Sequence, residues 1–243
     1  MRCENILPHE KNNMPHRYIK KILSANVYDV AVETPVSAAR SLSKRMDNNI
    51  LFKREDLQPI YSFKIRGAYN CISQLSQAQQ ASGLVAASAG NHAQGVAMSA
   101  KYLGINATIV MPKTTPDIKV SSVRALGAEV ILHGDSFAQA YAYSLTLVAN
   151  QGLVYIHPFD DEHVIAGQGT VAVELLRQVQ GHVDAIFVPV GGGGLIAGMS
   201  VYIKYLRPDI KIIGVEPEDA CCLKVAIDAG ERLILPEVGT FAE

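Results

Sequence analysis

The stretch Leu84-Val85-Ala86-Ala87-Ser88-Ala89-Gly90-Asn91-His92 passes from four apolar residues straight into a small, polar, glycine-bearing loop. Gly83 precedes it, and Val96, Ala100 and Leu103 follow at helical spacing. The segment therefore reads as a buried strand, a tight turn and an amphipathic helix. The alternation continues downstream. Strands are expected over 107–111, stopped by Pro112, over 129–132 and over 153–156. Between them lie a helix over 118–126 closed by Gly127 and a second, N-capped by Asp135, running to about 150.

A second run of the same kind has a helix over 170–179, a strand over 185–190, the loop Gly191-Gly192-Gly193-Gly194, a helix to about 206 and a strand over 210–215. Strand and helix alternating at short spacing give parallel sheets wrapped by helices, so the fold class is α/β with two parallel-sheet lobes. Pro158-Phe159-Asp160-Asp161 is the crossing between them. The expected division puts 83–158 in a small lobe and 1–82 with 159–243 in a large one. Upstream, residues 1–16 are polar, contain Pro8 and Pro15, and read as a mobile leader ahead of a helical stretch over 18–25. Pro35 enforces an extended turn, and 49–53 reads as a short strand.

Charged residues make up 19% of the 243, against about 25% in ordinary globular chains. Strands buried on both faces produce such a shortfall. A formal net charge of −1 supplies no field for nucleic acid or an acidic membrane. No run approaches the roughly 18 apolar residues of a membrane span. The N-terminus has no apolar segment after Arg2, so a cytoplasmic protein is expected. Cys3, Cys71, Cys221 and Cys222 form no CxxC pair and no metal-like spacing, and are expected to be reduced thiols.

Ligands in such folds sit at the C-terminal ends of strands, which directs attention to the loops after Ala87 and Val190. Four consecutive glycines between a buried strand and a helix beginning Leu195-Ile196-Ala197 form either a flexible turn or an anion cradle. Without Cβ atoms their N–H groups can turn onto a phosphate, and the helix dipole adds attraction. The contiguous glycines are not a dinucleotide fingerprint, and no G-K-S/T follows to make a P-loop. Ser88 to His92 reads either as a capped helix start or as a carboxylate site built from N–H groups, a hydroxyl, an amide and an imidazole. In Ser62-Phe63-Lys64-Ile65-Arg66-Gly67-Ala68 the lysine has apolar neighbours. Desolvation there lowers an amine pKa and makes it nucleophilic.

Pro59 to Ala68, Ser88-Ala89-Gly90-Asn91-His92-Ala93-Gln94-Gly95 and Gly191 to Leu195 occur in that order. Together they resemble the serine/threonine dehydratase branch of the tryptophan-synthase-β-like, fold type II pyridoxal-phosphate enzymes, over the whole chain from about residue 18. Arg54-Glu55-Asp56-Leu57-Gln58 and Gly214 to Ala220 look most like the biosynthetic threonine deaminases. The resemblance implies that Lys64 carries pyridoxal 5'-phosphate as a Schiff base and acts as the catalytic base. It implies that Phe63 lies against the cofactor ring and that Asn91 bonds its 3'-oxygen. Gly191, Gly192, Gly193, Gly194 and Leu195 would hold the phosphate, and Ser88, Gly90 and His92 the substrate carboxylate. No metal is expected, although Glu216 resembles a residue that serves a cation site in some relatives.

The implied reaction is β-elimination of L-threonine to 2-oxobutanoate and ammonia, a first step towards isoleucine, in a homo-oligomer. The alternatives within the family are serine dehydratase or racemase activity, or a catalytically incomplete fragment that only binds the cofactor; a non-catalytic phosphoanion- or nucleotide-binding module is the alternative outside it. Racemising relatives tend to carry a second serine where this chain has Ala89, and a methyl group cannot donate a proton. Relatives continue beyond the point reached at Glu243, so the lobe containing it is expected to be incomplete at the C-terminus.

Overall fold

A computed structural model describes residues 8–231 together with Leu233, Leu235 and Gly239. The chain opens with α1 (Pro8–Leu23), so the expected leader is helical from residue 8, and its first seven residues lie outside the described ones. Proline suits a first helical turn, where its missing N–H would have had no partner. Two short strands, β1 (Val36–Ala38) and β2 (Leu51–Lys53), pair antiparallel around α2 (Arg40–Met46). Then come α3 (Lys64–Ser73) and α4 (Gln77–Ser82), the latter started by a capping box between Ser76 and Gln79.

From here the expected alternation is present: β3 (Leu84–Ala87), α5 (Asn91–Leu103), β4 (Ala107–Met111), α6 (Asp117–Ala125), β5 (Glu129–Leu132), α7 (Phe137–Gln151) and β6 (Val154–Tyr155). The four strands form one parallel sheet in the order β5-β4-β3-β6. β3 is wholly buried because both faces are covered. Leu84 and Ala86 pack with Ala68, Ile72, Val96 and Ile109 on one side; Val85 packs with Val110, Ala140 and Leu147 on the other. The cap of α7 is Ser136, whose Oγ accepts from Gln139 N, rather than Asp135.

The second run is α8 (Glu162–Gln178), β7 (Ala185–Pro189), α9 (Gly194–Leu206), β8 (Lys211–Val215) and α10 (Cys222–Ala229), with β7 and β8 parallel. α8 begins eight residues before the expected start, capped by Asp161, whose Oδ1 accepts from His163 N and Val164 N. Gly167 and Gly169 look like helix breakers in sequence, but they are contact points. A Cβ on Gly167 would lie 2.6 Å from Arg66 O, and one on Gly198 would lie 2.8 Å from Gly169 N. Glycine thus lets α8 touch the backbones of α3 and α9, and the helix tolerates its cost of about 1 kcal/mol per residue. Val171, Val188, Met199, Ile203 and Ile210 fill the space between α8, α9 and the second sheet. Cys71, Cys221 and Cys222 are free thiols; Cys3 lies outside the described residues. Among the described residues no helix is long and apolar enough to cross a membrane.

Candidate active site

A cavity of about 570 Å³ opens at the C-terminal end of β7, lined by Phe63, Lys64, Asn91, Phe159, the residues 191–195 and Glu216. Segments more than a hundred residues apart in sequence meet there. Among them are the lysine, the aromatic residue, the asparagine and the glycine loop named from the sequence.

Lys64 is the first residue of α3. Its Nζ donates to Pro158 O at 2.9 Å and lies 5.6 Å from the centroid of the Phe63 ring. Burial, with no carboxylate in compensation, lowers its pKa from 10.5 to about 8. The approach to it is strained. Tyr61 has φ +58°, a left-handed conformation that costs a non-glycine residue about 1 kcal/mol or more.

Behind Lys64, two residues further along the same helix, an ionic cluster fixes α3 in place. Arg66 Nη1 and Nη2 bond Glu174 Oε1 and Oε2 at 2.6 and 3.0 Å, while Nε and Nη2 bond Glu55 at 2.7 and 2.8 Å. Lys53 Nζ reaches Glu174 Oε2 at 2.6 Å. Burial works against the guanidinium charge, but the two carboxylates outweigh it and raise its pKa. Burial also opposes the Glu174 charge, and bonds from Arg66, Lys53 and Tyr28 outweigh that and lower its pKa. Tyr28 itself rises to about 12, through burial and its bond to Glu174.

The glycine loop leads into α9 through Gly193, which has φ +87° and no side chain capping the helix. Cβ atoms on Gly191 and Gly193 would meet nothing within 4 Å, and both residues line the cavity. Gly192 and Gly194 have a different reason to be glycine. A Cβ on Gly192 would lie 2.0 Å from the Phe159 ring, and one on Gly194 2.9 Å from Phe159 O. A helix start with no side-chain cap, a glycine loop lining the cavity and a desolvated amine fit a ligand carrying both a phosphate and an aldehyde, as pyridoxal phosphate does.

Ser88, Gly90 and His92 stand beside Asn91 at the start of α5, outside the lining of that cavity. Gly90, not Ser88, is the N-cap; Ser88 Oγ accepts from Gly90 N at 3.2 Å, and no side chain caps the helix. The His92 ring is buried and its Nε2 lies 2.9 Å from Ile156 O, so that nitrogen donates. Burial pushes its pKa down to about 3. The imidazole is neutral and its Nε2 is engaged with backbone. Glu216, whose cation role was one reading, accepts from Leu223 N and Lys224 N at 2.9 Å each, as an anionic cap on α10. Pro158, Phe159 and the Arg66 cluster were missed as parts of the site. Only the tertiary approach brings Pro158, Phe159 and Glu174 to the helix that carries Lys64.

The chain is 54% identical over 231 residues to the biosynthetic L-threonine dehydratase of Burkholderia multivorans, covering 94% of this chain and 46% of that protein. It thus spans about half the length of the curated relatives it matches. The structure resembles the processed form of threonine deaminase isoform 2 from Solanum lycopersicum, with TM-score 0.92 and 49% identity, over 95% of this chain and 63% of that one. Maize serine racemase follows with TM-score 0.87 and 37% identity, over 93% and 68%. Residues 27–243 match the family described as pyridoxal-phosphate dependent enzyme. With lysine, asparagine loop and glycine loop gathered at one place on the same fold as those relatives, the chain belongs to the pyridoxal-phosphate dependent enzymes.

Proposed function

We propose that this site deaminates L-threonine to 2-oxobutanoate and ammonia by β-elimination. The observation that carries the reading is the desolvated Lys64 amine in the same cavity as the open glycine loop. The relatives' names as threonine dehydratases and deaminase supply the substrate. Lys64 would hold the cofactor covalently, Gly191 to Leu195 its phosphate, Phe63 its ring face and Asn91 its ring oxygen. Bound pyridoxal phosphate supplies an electron sink for negative charge at the substrate α-carbon.

The remaining work falls to the chain. The substrate carboxylate sits on Ser88, Gly90 and the first-turn N–H groups of α5. His92 serves there through its backbone, since its ring is bonded to Ile156 O. Lys64 would have to be a neutral base to take the α-proton at Nζ, and a pKa near 8 leaves about a tenth of it neutral at pH 7, far more than an ordinary lysine. The ammonium so formed can return that proton to the departing β-hydroxyl, which leaves as water. The enamine set free tautomerises and hydrolyses to the 2-oxo acid and ammonia. Ala89 offers no acid to reprotonate the α-carbon from the other face, which favours elimination over racemisation.

The lobe division at 83–158 belongs to the proposal, supported by the separate sheets and the crossing at Pro158. So do a cytoplasmic setting, supported by the free thiols, and a homo-oligomer, supported by the family resemblance alone. Steady-state assay of 2-oxo acid from L-threonine and L-serine tests the reaction: turnover faster on threonine and abolished in Lys64→Ala supports it. Turnover unchanged in Lys64→Ala overturns it.

A further inference from the structure

The crossing between β6 and α8 touches three parts of the site at once. Ile156 O bonds the His92 ring, Pro158 O accepts from Lys64 Nζ, and the Phe159 ring covers Gly192. One side chain organises that turn. His157 Nδ1 accepts from Asp160 N at 2.8 Å and from Phe159 N at 3.3 Å. An imidazole nitrogen that accepts carries no proton, so a neutral ring holds its hydrogen on Nε2. Bonding the N–H groups two and three residues ahead is what an Asn or Asp oxygen does in an Asx-turn. The ring is also packed edge-on against Phe159, at 4.7 Å and 85° between centroids and planes, and against Tyr155 at 6.1 Å and 72°.

We propose that His157 is a positioning residue for the cofactor site. Its Nδ1 locks the 157–160 turn, and the turn in turn sets the carbonyl that orients the Lys64 amine and the aromatic wall that backs the glycine loop. Released from Nδ1, Pro158 and Phe159 can reorient, and Lys64 and Gly192 lose their common support. Nδ1 sits two bonds beyond Cβ, as does the side-chain oxygen of asparagine. An amide oxygen can therefore replace it, whereas a phenyl ring keeps the packing and loses the acceptor. This inference rests on Lys64 and the glycine loop being the cofactor site.

The test compares the wild-type chain with His157→Asn and His157→Phe. It reads pyridoxal phosphate affinity, the rate of borohydride-trapped labelling of Lys64, and protection from labelling by inorganic phosphate. The expected result is a loss of about tenfold in affinity for the phenylalanine variant, the size of one or two hydrogen bonds. The asparagine variant should stay within about threefold of wild type. Should the phenylalanine variant fail to fold, His157→Gln, which moves the acceptor one methylene outward, must show the loss instead. Wild-type affinity in the acceptor-less variant overturns the proposal, and so does an asparagine variant as weak as it, which would make packing the role. A wild-type chain that never labels at Lys64 is a different failure, and sinks the site reading itself.

Discussion

Arg66 and Glu174 meet at 2.6 Å with neither side chain exposed, and the pair ties α3, which begins at Lys64, to α8. Such a pair is weak evidence for stability when intact, but breaking it strands a charge where water cannot reach. Glu174→Gln is therefore expected to lower unfolding free energy by about 3 kcal/mol or more at neutral pH, as measured by urea denaturation. Glu174 has a folded pKa below its ordinary 4.5, so its contribution is whole above that value and lost as pH falls through the lower folded one. Acid sensitivity in this range should be weaker in the variant; an equal slope would remove the role assigned to the carboxylate.

Lys64 titrates in the opposite sense. With its folded pKa near 8 and its unfolded value at 10.5, the unfolded chain holds more protons between them, so this group makes stability rise with pH across that window. Below pH 8 its burial costs up to about 3 kcal/mol, at about 1.4 kcal/mol per pH unit. Lys64→Met should thus stabilise the cofactor-free chain at pH 7 and lose that advantage above pH 10.5. A variant less stable at pH 7 would show that the amine is not held against its charge.

Gly192 has room for no side chain because of Phe159. Gly192→Ala is expected to displace the ring or the loop and to weaken pyridoxal phosphate binding by tenfold or more in equilibrium titration, an effect of about 1.4 kcal/mol or above. Unaltered affinity would mean that the loop does not hold the phosphate.

Ala89 bears on the choice of reaction. Restoring a hydroxyl with Ala89→Ser should produce measurable D-serine from L-serine by chiral chromatography, at some cost to elimination. No racemisation above wild type would remove the argument that the methyl group decides the outcome.

The sequence periodicity located β3, β4 and β5 to the residue, because each is a mostly apolar run followed by a turn signal. It placed the start of α8 too late, since Gly167 and Gly169 break helices in isolation and only reveal their use when Arg66 O and Gly198 come against them. Asp135 and Ser136 are both good caps, and the register of α7 chose the serine. Lys64, Phe63, Asn91 and the glycine loop were legible as motifs, but what positions them was not. Pro158, Phe159 and His157 lie in an irregular crossing with no periodicity, and the contacts of Pro158 with Lys64 and of Phe159 with Gly192 exist only after the two runs fold against each other. Likewise, Glu216 could not be assigned from its position after a strand; its bonds to Leu223 and Lys224 identify it as a cap.

The central claim is that Lys64 is the lysine that carries the cofactor. Incubating the chain with pyridoxal phosphate, reducing with borohydride and mapping the peptides by mass spectrometry addresses it directly. The phosphopyridoxyl group should be found on Lys64, in about one equivalent per chain, and Lys64→Ala should abolish it. Label scattered over exposed lysines, with Lys64 unmodified, would contradict the account.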